Sequence, residues 1–206
     1  EVIDIELAGK LIVFEGLDAS GKSTQARLLA RRLDDAGLDV VSTREPGGTP
    51  IAESVRTVLL ERQHHALLPF SELLLFIVSR AQNTQEVILP ALRAGQTVIA
   101  SRYRLSSMAY QGYGRGLDLD LIRQLNEAAT AGTQPDLTFL IDVPTEYTIR
   151  RKADRGDRIE VESIEFHRRV RQGFLELTEA DPTVHVLDGT RSIKEISDEV
   201  ARHLGL

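Results

Sequence analysis

The chain has 206 residues, 42% hydrophobic and 27% charged, a formal charge of -6 at pH 7 and no cysteine. This length and composition suit one globular domain over residues 1 to 206 and exclude a disordered or fibrous chain. The acidic balance excludes a general nucleic-acid coat, and the missing cysteines exclude disulfides, thiolate metal sites and thiol nucleophiles.

The opening stretch, EVIDIELAGK, has no basic segment leading into an apolar one, so neither a secretory nor a transit signal is expected. KLIVFE (10 to 15) then reads as a first strand, and EGLDASGKSTQ follows it with Gly16, Gly21, Lys22 and Ser23 in the spacing G-x-x-x-x-G-K-S. Glycines at those positions let successive N–H groups face one centre, and a helix expected over 22 to 36 adds the positive end of its dipole. Lys22 would reach the β- and γ-phosphates of a nucleoside triphosphate, and the Ser23 hydroxyl would hold Mg²⁺. DVVSTR (39 to 44) is the second strand, ending in the turn REPGGT (44 to 49), and helices are expected over 51 to 61 and 70 to 94. The latter contains LLLFIV (73 to 78), too short an apolar run to span a bilayer. The expectation is a soluble, cytoplasmic protein with no membrane partner.

TVIAS (97 to 101) forms the third strand and runs into SRYRLSSMAYQGYGRG, which has three arginines, three tyrosines and no acid. A helix over 118 to 131, a strand LTFLID (137 to 142) and a helix over 145 to 153 come next. RRKADRGDR (150 to 158) carries five basic and two acidic residues, and taken alone reads as a solvated helix end. A helix over 163 to 180, the strand VHVLD (184 to 188) and a helix over 192 to 204 close the chain. Short apolar strands alternating with helices imply an α/β protein and, with the phosphate loop, a three-layer P-loop fold: a central five-stranded parallel sheet with helices on both faces. Ligands in such sheets bind at the carboxyl ends of strands. No Asn-Lys-x-Asp element follows a later strand, the nearest candidate being TQPD at 133 to 136, which argues against a GTPase switch.

EGLDASGKST, TREPGGT, the SR of FIVSRAQ, SRYRLSSMAYQGYGRG and DRIE at 157 to 160 together resemble the bacterial thymidylate kinase family. The resemblance covers essentially the whole chain and implies phosphoryl transfer from ATP to dTMP, with Mg²⁺ as cofactor and a homodimer as the assembly. On the ATP side it implies Gly16, Leu17, Asp18, Ala19, Ser20, Gly21, Lys22, Ser23 and Thr24, with Arg151 stacking on adenine. On the dTMP side it implies Phe76 against thymine, Arg80 donating to the base carbonyl at C4, and Ser107 and Gln111 facing the base. Tyr110 would lie against the sugar C2′. Arg56 and Arg102 would grip the phosphate, and Asp18, Glu45 and Pro46 belong to the same side. Lys22, Arg102 and Arg155, the last in a lid at about 150 to 160, would stabilise the transferring group. Ser23 would be the metal ligand, with Asp18 as a second candidate. The family pattern after the third strand is Asp-Arg, whereas this chain has Ser101-Arg102, so the serine brings no charge to the Mg²⁺ shell. A kinase for another nucleotide or nucleoside, or a family member weakened by Ser101, is the alternative.

Overall fold

The computed structural model describes residues 7 to 151, 156 to 179 and 181 to 206. Five strands, β1 (Leu11–Glu15), β2 (Val40–Arg44), β3 (Thr97–Ser101), β4 (Leu137–Asp142) and β5 (Val184–Asp188), form one parallel sheet in the order β2-β3-β1-β4-β5. The helices are α1 (Lys22–Asp35), α2 (Pro50–Leu60), α3 (Pro69–Asn83), α4 (Leu89–Arg93), α5 (Arg104–Ser107), α6 (Leu119–Thr130), α7 (Thr145–Arg151), α8 (Ile164–Glu179) and α9 (Ile193–His203). Among the described residues no helix is long and apolar enough to cross a membrane.

The alternation of β1 explains the layering. Ile12 and Phe14 face α1 and α9, where Leu29, Leu33, Ile196 and Val200 complete one core, and Phe14 stacks on Phe139 at 5.4 Å between centroids. Leu11 and Val13 point the other way and pack with Val98, Ala100, Ile88 and Tyr103. The central strands β1 and β3 are buried along their whole length. The expectation of strands buried on both faces fails at the two edges: β2 and β5 are half-exposed, because each has a strand on one side only and carries polar residues such as Ser42 and His185.

The helix expected over 70 to 94 is one rod with a wide turn at Thr84–Ile88 between α3 and α4. Pro90 accounts for it: the ring lacks an N–H and crowds the carbonyl four residues back, so the helix widens ahead of it. A second wide turn, Met108–Gly114, continues α5 and lies against α8. Two glycines permit that approach. A Cβ on Gly114 would sit 2.7 Å from Phe166 Cε2, and one on Gly173 would sit 2.4 Å from Tyr113 Cγ. Gly114→Ala is expected to lower stability by about 1–3 kcal/mol through overpacking. Urea unfolding checks this: the midpoint should fall at unchanged slope.

Candidate active site

The carboxyl ends of β1, β2 and β3 open onto a single cavity of about 580 Å³. From β1 the chain turns through Gly16, whose φ is 136° and where a Cβ would lie 2.5 Å from the Ile141 carbonyl oxygen. Ala19 also has positive φ, 61°, and Gly21, at 106°, is the N-cap of α1. That helix has neither a side-chain cap nor an acidic residue in its first turn, so its leading N–H groups and dipole are left for an anion. Asp18, Ala19, Ser20, Gly21, Lys22, Ser23 and Thr24 border the cavity, whereas Gly16 and Leu17 lie behind the wall, Leu17 in the core. Lys22 Nζ folds back to the Leu17 carbonyl at 2.6 Å. Burial first, and the Arg102 guanidinium next, pull the Lys22 ammonium down to about 7 against the attraction of Asp18 and Glu15.

Opposite the loop stands Arg102, a non-glycine residue at φ 74° immediately after β3. Its guanidinium donates to Asp18 Oδ1 at 2.5 Å, to Ser106 Oγ at 3.0 Å and to the Tyr110 hydroxyl at 3.2 Å. Tyr110 in turn donates to Asp18 Oδ2 at 2.9 Å, and Arg102 Cζ lies 5.0 Å from the centre of its ring. Burial would raise the Asp18 carboxyl, but Arg102 and Lys22 hold it well below the usual carboxylate range. Asp18 therefore joins the phosphate loop to the arginine across the cavity. Arg56 enters from α2 with Nη1 on the Pro46 carbonyl at 2.9 Å, and burial and the neighbouring Arg44 press its guanidinium below the ordinary arginine value. Such crowding of like charge suits an anion. Arg44 itself is gripped by both oxygens of Glu53.

The far wall contains Glu45, Pro46, Phe76, Ser107 and Gln111. Arg80, one turn after Phe76 on α3, is not on that wall but behind it, 1% exposed. Its guanidinium donates to Glu45 Oε2 (2.8 Å), Ser107 Oγ (2.8 Å), Asn126 Oδ1 (2.6 Å) and the Tyr103 carbonyl (2.8 Å). Burial lifts Glu45 to about 7 even with Arg80 opposing. Ser101 is nearly buried and borders the cavity, with its carbonyl receiving the Glu45 N–H at 3.0 Å. Arg155 lies outside the described residues, and Arg151 ends α7 with its side chain outside them too. Within the stretch expected to form a lid, the described residues Asp157, Ile159 and Glu160 border the cavity.

Several residues in or beside the site escape sequence reasoning. Glu15, fully buried, accepts from Tyr103 N (2.8 Å), Ser106 N (3.2 Å) and Ser106 Oγ (2.5 Å), and so anchors α5 beneath Arg102. Glu72, also buried, receives Gln111, Arg115 and Arg158. A charged residue inside an otherwise apolar strand or helix face was the available signal. Gly189, Arg191 and Ile193 border the cavity after β5, where the carboxyl-end rule alone would have pointed.

A phosphate loop after the middle strand, facing an arginine cluster across one cavity, defines a P-loop enzyme of the nucleoside monophosphate kinase class. The family model for thymidylate kinase matches residues 14–200. The chain is 47% identical over 194 residues to the thymidylate kinase of Kosmotoga olearia, covering 93% of each chain. It is 49% identical over 197 residues to that of Exiguobacterium sp., covering 94% of this chain and 93% of the relative. A crystal structure of thymidylate kinase from Ehrlichia chaffeensis superposes with a TM-score of 0.80 at 37% identity, covering 97% of this chain and 100% of that one. The chain belongs to the thymidylate kinase family.

Because Lys22 is held near neutrality until phosphates reach it, ATP binding above pH 7 is expected to take up a proton, and affinity should fall as pH rises. Calorimetry at pH 8 in two buffers of different ionisation enthalpy checks this. Uptake should vanish in Lys22→Met, and equal heats in both buffers for the unaltered protein would refute it.

Proposed function

We infer that the protein transfers the γ-phosphoryl group of ATP to dTMP, giving dTDP and ADP. The observation that carries this reading is the Asp18 bridge: Arg102 at 2.5 Å on one side and the Lys22 loop on the other bring a donor and an acceptor phosphate site into one cavity. The nucleophile is a phosphate oxygen of dTMP, whose second pKa near 6 leaves it mostly dianionic, so no general base is required. What the chain supplies is alignment and charge: Lys22 and the α1 N-terminus for ATP, Arg102 and Arg56 for the acceptor phosphate. A guanidinium fork matches phosphate oxygens, so an incoming acceptor draws Arg102 away from Asp18 and frees that carboxylate.

Mg²⁺ fits this donor set. The Ser23 hydroxyl and the Asp18 carboxylate are hard oxygen donors beside the loop, and the rest of such a shell is supplied by phosphates and water. When bound, the ion would neutralise charge on the phosphates. Thymine is assigned to Phe76, Ser107 and Gln111, the deoxyribose to Tyr110, and Arg80 to holding Ser107 and Glu45 in place. Ile193, 59% exposed and bordering the cavity, offers an apolar surface to the donor base. Arg155 is assigned to stabilising charge on the transferring group and Arg151 to stacking on adenine.

A stripe of exposed apolar residues supports a homodimer. Phe70, Leu74 and Val78 lie four residues apart along α3, with Leu68 just before them and Ile51 and Val58 on the neighbouring α2. The occupant assigned to it is a second copy of the chain. Sedimentation equilibrium should find a dimer, and Phe70→Glu should shift it to monomer; a monomeric unaltered protein would refute the assignment. The activity is tested by a coupled assay with ATP and dTMP. ADP production is expected to depend on dTMP and to be much slower with dUMP or thymidine, and no dTMP-dependent ADP would overturn the reading.

A further inference from the structure

We propose that Glu72 is a positioning residue for base selection, holding the Gln111 amide so that only its oxygen faces the base. The inference rests on the reading above that thymine lies against Phe76 and Gln111. Gln111 is 1% exposed, sits on the wide turn after α5, and donates from Nε2 to Glu72 Oε1 at 2.9 Å. Glu72 is 1% exposed and its oxygens are saturated. Oε1 also receives Arg115 Nε at 3.1 Å, while Oε2 receives Arg115 Nη2 at 2.9 Å and Arg158 Nη1 at 2.7 Å.

Burial alone would raise the Glu72 carboxyl, but Arg115 first, with the hydrogen bonds from Gln111 and Arg158, holds the group below its usual value. It is therefore an ionised carboxylate, and an ionised carboxylate only accepts. The Gln111 amide has one acceptor end and one donor end. One of the two Nε2 hydrogens is given to Glu72, which turns the nitrogen end toward the carboxylate and leaves the oxygen end for the cavity. Turning the amide over would set its oxygen against the carboxylate in a buried place, two acceptors with no proton between them, a costly arrangement.

That orientation distinguishes pyrimidines. Thymine and uracil carry N3–H, a donor that pairs with the Gln111 oxygen; cytosine presents a bare N3 lone pair to the same atom. Arg80 is poorly placed to make the distinction, since four of its five N–H donors are already committed to protein acceptors. A site with a fixed buried polar group rejects the unmatched partner far more strongly than an apolar pocket does.

The test is kcat/KM for dTMP, dUMP and dCMP in the unaltered protein and in Glu72→Gln. An amide at position 72 can either accept or donate, so Gln111 is released to turn. The dTMP to dCMP ratio should fall at least tenfold while the dTMP to dUMP ratio stays constant, since both of those bases carry N3–H. A merely structural defect would lower all three together, and that result, or an unchanged dTMP to dCMP ratio, overturns the proposal. If the unaltered protein uses dTMP but does not prefer it to dCMP, the thymine reading fails with it; if only the variant's ratio is unmoved, the Glu72 role fails alone. Glu72 also neutralises two arginines, so a second variant, Glu72→Gln with Arg115→Gln, removes one charge of each sign and should show the same fall in the dTMP to dCMP ratio. The side-chain amide NMR signals of Gln111 in the unaltered protein give an answer independent of any variant. One sharp pair with a proton shifted downfield is expected, and averaging by amide flipping overturns the proposal.

Discussion

Taking charge out of water is costly unless each charge finds a partner, and the carboxyl end of this sheet is arranged around that constraint. The buried Glu15, Lys22, Glu45, Glu72, Arg80 and Arg158 each line the cavity or bond to a residue that lines it. On the phosphate-loop side, Arg102 is the meeting point. It takes Asp18 from the β1 loop and Tyr110 from the turn after α5, while Ser106 below it is held by Glu15 at the end of β1. The neighbouring strands β1 and β3 are thereby joined through one ion pair and several hydrogen bonds at the place where phosphates would arrive. The same contacts are ones a dianion can replace.

Two networks divide the work. Around Arg102 the partners are short, partly open to the cavity and exchangeable, which suits a group that must change partners on binding. Around Glu72 and Arg80 they are closed: Arg80 is surrounded by protein acceptors, and Glu72 by three donor side chains. The exchangeable set has the charge and fork geometry that suit phosphates. The closed set fixes geometry, and geometry is what selecting one base over another demands.

The fold was legible in the sequence because its signals are local. The five strands stand within a residue of where the apolar runs put them, and the phosphate loop needed only glycine, lysine and serine at fixed spacing. What was not legible depended on contacts between distant segments. The family resemblance implies Arg80 as a base-facing donor, while Glu45, 35 residues away, and Asn126, 46 residues away, hold its guanidinium behind the wall. Glu15 read as the end of a strand, and only the meeting with Ser106, 91 residues on, makes it the anchor of α5.

By itself, then, the sequence determined the strand and helix order, the phosphate loop and the family, since periodicity and short motifs are properties of neighbouring residues. The tertiary structure alone decided which charges pair, which arginine faces the cavity and which lies behind it, and which way the Gln111 amide points. Those outcomes depend on how burial removes water from groups far apart in the chain, and no spacing of residues encodes the partner that desolvation will require.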